Sequence, residues 1–245
     1  MKVVLLGATK GMGRALARLM AERGDELFLL GRDPSDLQRC ATDLEIRGAA
    51  GDVRYATCDL LRPQGFGDAL DAASRQLGGL EAIVLTAGVY ATQEALEEDA
   101  AALEQLLTVD FTRTIEFCEH ARRRLLQGKG GVLCVFSSVA GDRARKSRMF
   151  YGAAKAGLSY YLEGLDLKYH DQGLHTVIVK PGFVRTTMTA GLPEPPFAAE
   201  PEDVARRVLK AIDKGWPVAY VPPMWRLVML TIRTLPRWIM RRVEF

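Results

Sequence analysis

Short apolar runs alternate with helical patterns along almost the whole chain, and this alternation restricts the fold more than any other feature. Strand-like runs lie at residues 2–6, 26–30, 53–57, 82–86, 131–137, 176–180 and 218–221. Several are nearly continuous Val, Ile and Leu, as a parallel strand covered by helices on both faces requires. Helical patterns fall between them at 12–23, 34–47, 65–77, 96–127, 151–170 and 202–214. The order predicts an α/β fold, a single doubly wound parallel sheet of about seven strands. No repeat or linker divides the sequence, so residues 1–221 are read as one domain and 222–245 as a C-terminal extension. The Pro-rich stretch 191–201 reads as a loop over a site.

The first strand runs into Gly7-Ala8-Thr9-Lys10-Gly11-Met12-Gly13 and then a helix. Glycines here let the backbone turn tightly and approach a pyrophosphate, whose charge is favoured at a helix N-terminus. The spacing, Gly-x-x-x-Gly-x-Gly, is not the commoner Gly-x-Gly-x-x-Gly, but its place between the first strand and first helix predicts a Rossmann-like sheet that binds a dinucleotide. NAD sites usually end the second strand on a carboxylate that binds the ribose 2′-hydroxyl. Here the strand ends Leu30-Gly31-Arg32. Arg32 can take a 2′-phosphate bidentately and Lys10 can add a second positive charge, so NADP(H) is expected ahead of NAD(H). Asp33, one residue on, works against that preference.

Ser137-Ser138 close the fifth strand, and Tyr151-Gly-Ala-Ala-Lys155 follow thirteen residues later. Tyr151 and Lys155 are i,i+4 on one helix and share a face. A free phenol titrates too high for acid–base work at neutrality, and a neighbouring ammonium is expected to lower its pKa. Ser138 can hydrogen-bond the oxygen of the reacting carbon while Tyr151 supplies the proton and a nicotinamide the hydride.

On these motifs residues 2–221 resemble the short-chain dehydrogenase/reductases of the Tyr-x-x-x-Lys branch. The resemblance implies that Gly7, Thr9, Lys10, Gly11, Met12 and Gly13 line the pyrophosphate and adenosine side, with Asp59 and Leu60 beside the adenine. It aligns Thr86-Ala87-Gly88 with an Asn-Ala-Gly turn. It aligns Pro181-Gly182-Phe183-Val184-Arg185-Thr186 with the segment holding the nicotinamide carboxamide, with Val109 also on the cofactor and Lys155 on its ribose. Leu6 and Thr86 depart from the family's Thr and Asn. Asp110 stands where the family has a catalytic Asn that holds a relay water, partly through its main-chain carbonyl. It is either a tolerated relay member or a sign of altered chemistry. Family members commonly form homodimers or homotetramers, here expected through helices within residues 103–124 and 151–170.

The net charge of +3 hides an uneven distribution: residues 225–245 carry five Arg and one Glu, so the remainder sums to −1. Nucleic-acid binding through a basic body is disfavoured. Cys40, Cys58, Cys118 and Cys134 have no metal-ligand spacing, so no metal is expected and all four are read as reduced thiols. With no long apolar run the protein is expected in the cytoplasm, peripheral to the inner face of a membrane. The tail supplies the membrane contact. Arg226, Arg233, Arg237 and Arg241 make a basic stripe on one helical face, Leu, Ile, Met and Trp fill the rest, and Pro236 divides the helix. A partner subunit or the chain's own active site is the other reading of what this segment covers.

The loop Asp142-Arg143-Ala144-Arg145-Lys146-Ser147-Arg148 is the other substrate clue. Arg143, Arg145 and Arg148 are candidates for an anionic group on the substrate. Ser137 to Tyr151, the segment Val184-Arg185-Thr186-Thr187-Met188 and the Arg/Pro/Trp tail are together similar to the decaprenylphosphoryl-2-keto-ribose reductases. That likeness implies NADPH-dependent reduction of a ketone on a large, lipid-linked substrate such as a polyprenyl-phosphate keto-sugar. A soluble 3-oxoacyl thioester reductase is the alternative. A non-catalytic NADP-binding regulator is the alternative of a different class.

Overall fold

The computed structural model describes residues 1–195 and 197–242. Pro196, in the expected loop, and residues 243–245 of the expected extension lie outside the described residues. Seven strands, β1 (Lys2–Leu6), β2 (Glu26–Gly31), β3 (Arg54–Thr57), β4 (Ala82–Leu85), β5 (Gly131–Phe136), β6 (Leu174–Pro181) and β7 (Val218–Val221), form one sheet in the order β3-β2-β1-β4-β5-β6-β7. Every neighbouring pair is parallel. The order reverses between β1 and β4, which opens a crevice at their C-terminal ends, the usual ligand position in such sheets.

Strand periodicity explains the two cores. Val3, Leu5, Leu27 and Leu29 point to one face and pack under α1 (Gly11–Glu22), α2 (Pro34–Ile46) and α8 (Pro201–Lys214). Val4, Leu6, Phe28 and Leu30 point to the other and meet α3 (Phe66–Leu77), α6 (Thr114–Gln127) and α7 (Met149–Tyr169). All four cysteines are buried and free.

The expected helix 96–127 is divided. α4 (Gln93–Glu98) stops at Asp99, whose carboxylate accepts from the Ala101 and Ala102 amides and restarts the chain as α5 (Ala100–Leu107). A π-helical turn, Thr108–Arg113, then separates α5 from α6. Asp99 is an N-cap, where a side-chain oxygen satisfies amides the helix cannot. The π turn adds a residue to one turn and re-aims the side chains it carries. After β7 come α9 (Trp225–Thr234) and α10 (Arg237–Met240), parted at Leu235-Pro236 as Pro236 was expected to do. No helix among the described residues is long and apolar enough to cross a membrane.

Candidate active site

The C-terminal ends of β1 to β6 bring most of the predicted site residues to one edge of the sheet. Gly7 leaves β1 at φ +102° and its amide donates to Leu30 O at 3.1 Å. A Cβ on Gly13 would lie 2.2 Å from Gly7 O, and one on Gly7 would lie 2.6 Å from the Ala87 amide nitrogen. The turn, the start of α1 and the end of β4 thus meet backbone to backbone, a cradle that any side chain would fill. Thr86 stands in for the family's Asn by donating its hydroxyl to Gly7 O at 2.9 Å. The Thr186 methyl lies across from Gly11, 3.4 Å from where a Cβ would stand. Thr9, Met12, Ala87 and Gly88 are half-buried, while Leu60, Val109 and Val184 are buried in the core. The cradle suits a dinucleotide pyrophosphate.

Beyond β2 and β3 a cavity of about 600 Å³ is lined by Arg32, Asp59 and Arg62 among others. Arg62 escaped the sequence reading; its only signal is its place three residues after Asp59. Asp33, next to Arg32 in sequence, serves the helix that follows. It caps α2, accepting from the Asp36 amide at 2.9 Å, and backbone hydrogen bonds hold its carboxyl below the usual range. Lys10 is largely exposed and lies 3.7 Å from Asp36. At Gly31 a Cβ would stand 3.1 Å from Leu37 Cδ2, so α2 packs directly on the end of β2.

Ser137 fastens β5 to α7: its hydroxyl donates to Lys155 O at 3.0 Å and lies 2.7 Å from that of Ser159. Ser138 follows in extended conformation, its hydroxyl accepting from the Ala140 amide at 3.1 Å. Lys155 is almost fully buried, with Nζ 5.6 Å from the centre of the Tyr151 ring and 3.1 Å from Asp110 Oδ2. The π turn delivers Asp110, whose Oδ1 accepts from the Val89 amide at 2.8 Å. The side chain at the family's Asn position therefore forms a buried ion pair with the lysine.

That pair changes the expected acid–base balance. Burial is the largest influence on Tyr151 and raises its pKa; the Asp110 carboxylate raises it further. Lys155, Ser138 and Arg148 pull it down, as anticipated for the lysine, and are outweighed. Burial works against the charged form of Lys155, but Asp110 and Tyr151 raise its pKa overall, so it stays an ammonium. At neutral pH the phenol is protonated and able to donate. Asp110→Asn keeps the acceptor for Val89 and removes the anion, which lowers the Tyr151 pKa. Reduction needs the protonated phenol and fails as pH rises through that pKa. The alkaline limb of its pH–rate profile is expected to move to lower pH. An unmoved limb would count against Asp110 as the source of the shift.

The basic loop carries its one carboxylate inward. Asp142 is almost buried, 2.5 Å from Lys180 Nζ, and accepts from the Tyr220 hydroxyl at 2.8 Å. Arg148 stacks over the ring of Tyr90 at 4.9 Å, and Tyr90 meets Tyr151 edge-on with ring centres 5.5 Å apart. Burial lowers the pKa of both Arg145 and Arg148. Tyr90, which sequence reasoning missed, has a buried hydroxyl with no hydrogen-bond partner among the described residues. Arg143 donates to Leu235 O at 2.8 Å and so ties the loop to the break in the tail.

The expected single basic stripe is split by that break, because extended Leu235 and Pro236 redirect the chain. Arg226 and Arg233 line a cavity beside Lys180 and Tyr220, while Arg237 and Arg241 line another beside the basic loop. Trp225 lies against Gly182, whose added Cβ would fall 2.1 Å from its indole nitrogen, so the tail begins directly on the Pro181-Gly182 segment.

The chain matches the short chain dehydrogenase family over residues 1–196. It is 32% identical over 241 residues to an uncharacterized oxidoreductase of Mycobacterium tuberculosis, covering 98% of this chain and 96% of that one. It is 25% identical over 225 residues to carbonyl reductase family member 4 of Xenopus tropicalis, covering 89% and 93%. A short-chain type dehydrogenase/reductase from Mycobacterium ulcerans has the same fold, with a TM-score of 0.82, 22% identity and coverage of 89% and 87%. This chain belongs to the short chain dehydrogenase family. It is an NAD(P)-dependent oxidoreductase acting on CH–OH/C=O groups.

Proposed function

We propose that the protein is a Tyr-x-x-x-Lys reductase that converts a ketone to a secondary alcohol with NADPH, on a large, lipid-linked or membrane-associated substrate. The convergence of Ser138, Tyr151 and the buried Lys155–Asp110 pair carries this reading. When bound, the nicotinamide supplies a hydride to the carbonyl carbon. Tyr151 donates its phenolic proton to the carbonyl oxygen, and the Ser138 hydroxyl donates a hydrogen bond to the same oxygen. Lys155 would hold the nicotinamide ribose and steady the phenolate left after transfer. Asp110 keeps Lys155 charged and the resting phenol protonated, which favours reduction over alcohol oxidation at neutral pH.

Gly7, Gly11 and Gly13 would cradle the pyrophosphate and Pro181, Gly182, Val184 and Thr186 the carboxamide. Asp59 would border the adenine, and Arg32 with Arg62 would take a 2′-phosphate, which supports NADPH over NADH. Arg32→Ala removes one charge-assisted contact worth about 1.5–3 kcal/mol. It is expected to lower kcat/KM with NADPH about ten- to a hundredfold and to leave NADH kinetics within about threefold. Equal losses with both coenzymes would end the 2′-phosphate assignment.

The lipid-linked class rests on the cationic loop, on the similarity to reductases of polyprenyl-phosphate keto-sugars, and on Leu227, Leu230 and Trp238, which the tail leaves exposed. Exposed Tyr160 and Leu167 on α7 favour a homodimer or homotetramer through α6 and α7. The deciding experiment is an NADPH-oxidation screen, with and without detergent, over polyprenyl-phosphate keto-sugars, 3-oxoacyl thioesters and small ketones. Preference for a polyprenyl-phosphate ketone is the expected result. Preference for a soluble thioester would replace this reading, and turnover of no ketone would return the chain to a cofactor-binding regulator.

A further inference from the structure

The basic loop and the C-terminal tail, far apart in sequence, enclose one cavity of about 370 Å³. Arg143 and Met149 stand on one side of it, Arg237, Met240 and Arg241 on the other. No carboxylate lines it among the described residues, because Asp142 is turned away onto Lys180 and Tyr220. Arg143, bonded to Leu235 O, holds the two walls together. From these placements we propose that the cavity is a binding site for a phosphate ester, assembled by the tail.

Guanidiniums suit phosphate because their N–H groups match its oxygens two at a time. The volume lies at the low end for small-molecule sites and exceeds the needs of a bare anion. The Met149 and Met240 side chains add apolar wall for the group esterified to the phosphate.

The site is near the chemistry along α7, with Met149 and Tyr151 on nearly opposite faces of that helix. Met149 precedes Tyr151 by two residues on α7, roughly 3 Å along the helix axis. Arg148, which precedes Met149, stacks on Tyr90, which in turn touches Tyr151. Taking this ester as the substrate's own phosphate would carry the rest of the molecule past Tyr90 to the reacting phenol. Only this last step, which makes the ester part of the substrate, rests on the ketone-reductase reading.

Hexyl phosphate is a suitable probe, titrated calorimetrically into the full chain with NADPH saturating, so that the Gly-rich turn is already filled. Arg237→Ala/Arg241→Ala is expected to weaken its binding at least tenfold. Arg226→Ala/Arg233→Ala removes the same charge from the same tail at the neighbouring cavity and is expected to change it less than twofold. Equal weakening by both pairs, or no binding by the unaltered protein, overturns the site. Vesicles of phosphatidylglycerol in phosphatidylcholine distinguish a bilayer headgroup from a freely diffusing ester. Vesicle binding that hexyl phosphate displaces puts the headgroup in this cavity. Vesicle binding lost in Arg237→Ala/Arg241→Ala while hexyl phosphate still binds as tightly assigns the arginines to the bilayer surface and overturns the site. No ketone is present in either arm, so a failure here leaves ketone reduction standing, and a failure of every ketone leaves these titrations interpretable.

Discussion

Tyr151→Phe is expected to cut kcat for ketone reduction by about 10³-fold, the scale of a lost general acid, while the KM for NADPH changes less than about threefold. The substitution removes one oxygen. The ring stays on α7 and keeps its edge contact with Tyr90 at 5.5 Å, so the pocket keeps its shape. What is lost is the proton that must reach the carbonyl oxygen as hydride reaches the carbon. Ser138 cannot replace it, because a serine hydroxyl is a far weaker acid and this one has no base to restore its proton. Steady-state NADPH oxidation with a ketone substrate measures the effect. Turnover within tenfold of the unaltered protein would remove Tyr151 from the acid role and with it the proposed mechanism.

Lys155→Met carries two losses that can be read separately. The ammonium is almost fully buried, 3.1 Å from Asp110 Oδ2, and donates to Phe136 O at 3.4 Å. Methionine fills much of the same volume without charge and leaves the Asp110 carboxylate buried beside it. Breaking a buried pair from one side costs about 3–5 kcal/mol, a fall in Tm of roughly 10 °C for a domain of this size. Catalysis falls for a different reason: with the ammonium gone, the strongest influence opposing burial and Asp110 at Tyr151 is lost, and the proposed ribose contact disappears. A drop of about 10²–10³ in kcat/KM is expected. Asp110→Asn/Lys155→Met separates the two, since it removes the stranded carboxylate and should recover much of the Tm with little of the rate. A double variant no more stable than Lys155→Met would show that the ion pair is not what the single substitution broke.

Legibility followed physical locality. Strand runs such as Val3–Leu6 and Ala82–Leu85 were readable because both faces of a central parallel strand are apolar. The helix spanning 96–127 was misread because its apolar spacing continues through Asp99 and the π turn, and periodicity does not register an inserted residue. At Asp99 and Asp33 the carboxylate serves a helix end. The sign of the Tyr151 shift was out of reach, since burial and the approach of Asp110 are tertiary facts. Arg62 and Tyr90 were silent for a similar reason: a lone arginine or tyrosine after a strand acquires meaning only from what folds beside it.

The contact between Gly31 and Leu37 has an evolutionary consequence. On the proposed NADPH reading, a lineage drifting toward the unphosphorylated coenzyme would need a carboxylate at the end of β2, and a Cβ at position 31 would stand 3.1 Å from Leu37 Cδ2, so the leucine would have to give way. Trimming that leucine to alanine first would leave a hole under α2 at a cost of about 2–5 kcal/mol, a large share of the margin that keeps a domain folded. Asp33 cannot be borrowed, because α2 depends on it for its cap. On the proposed reading, coenzyme choice at this position is inherited together with the packing of Leu37 on the end of β2.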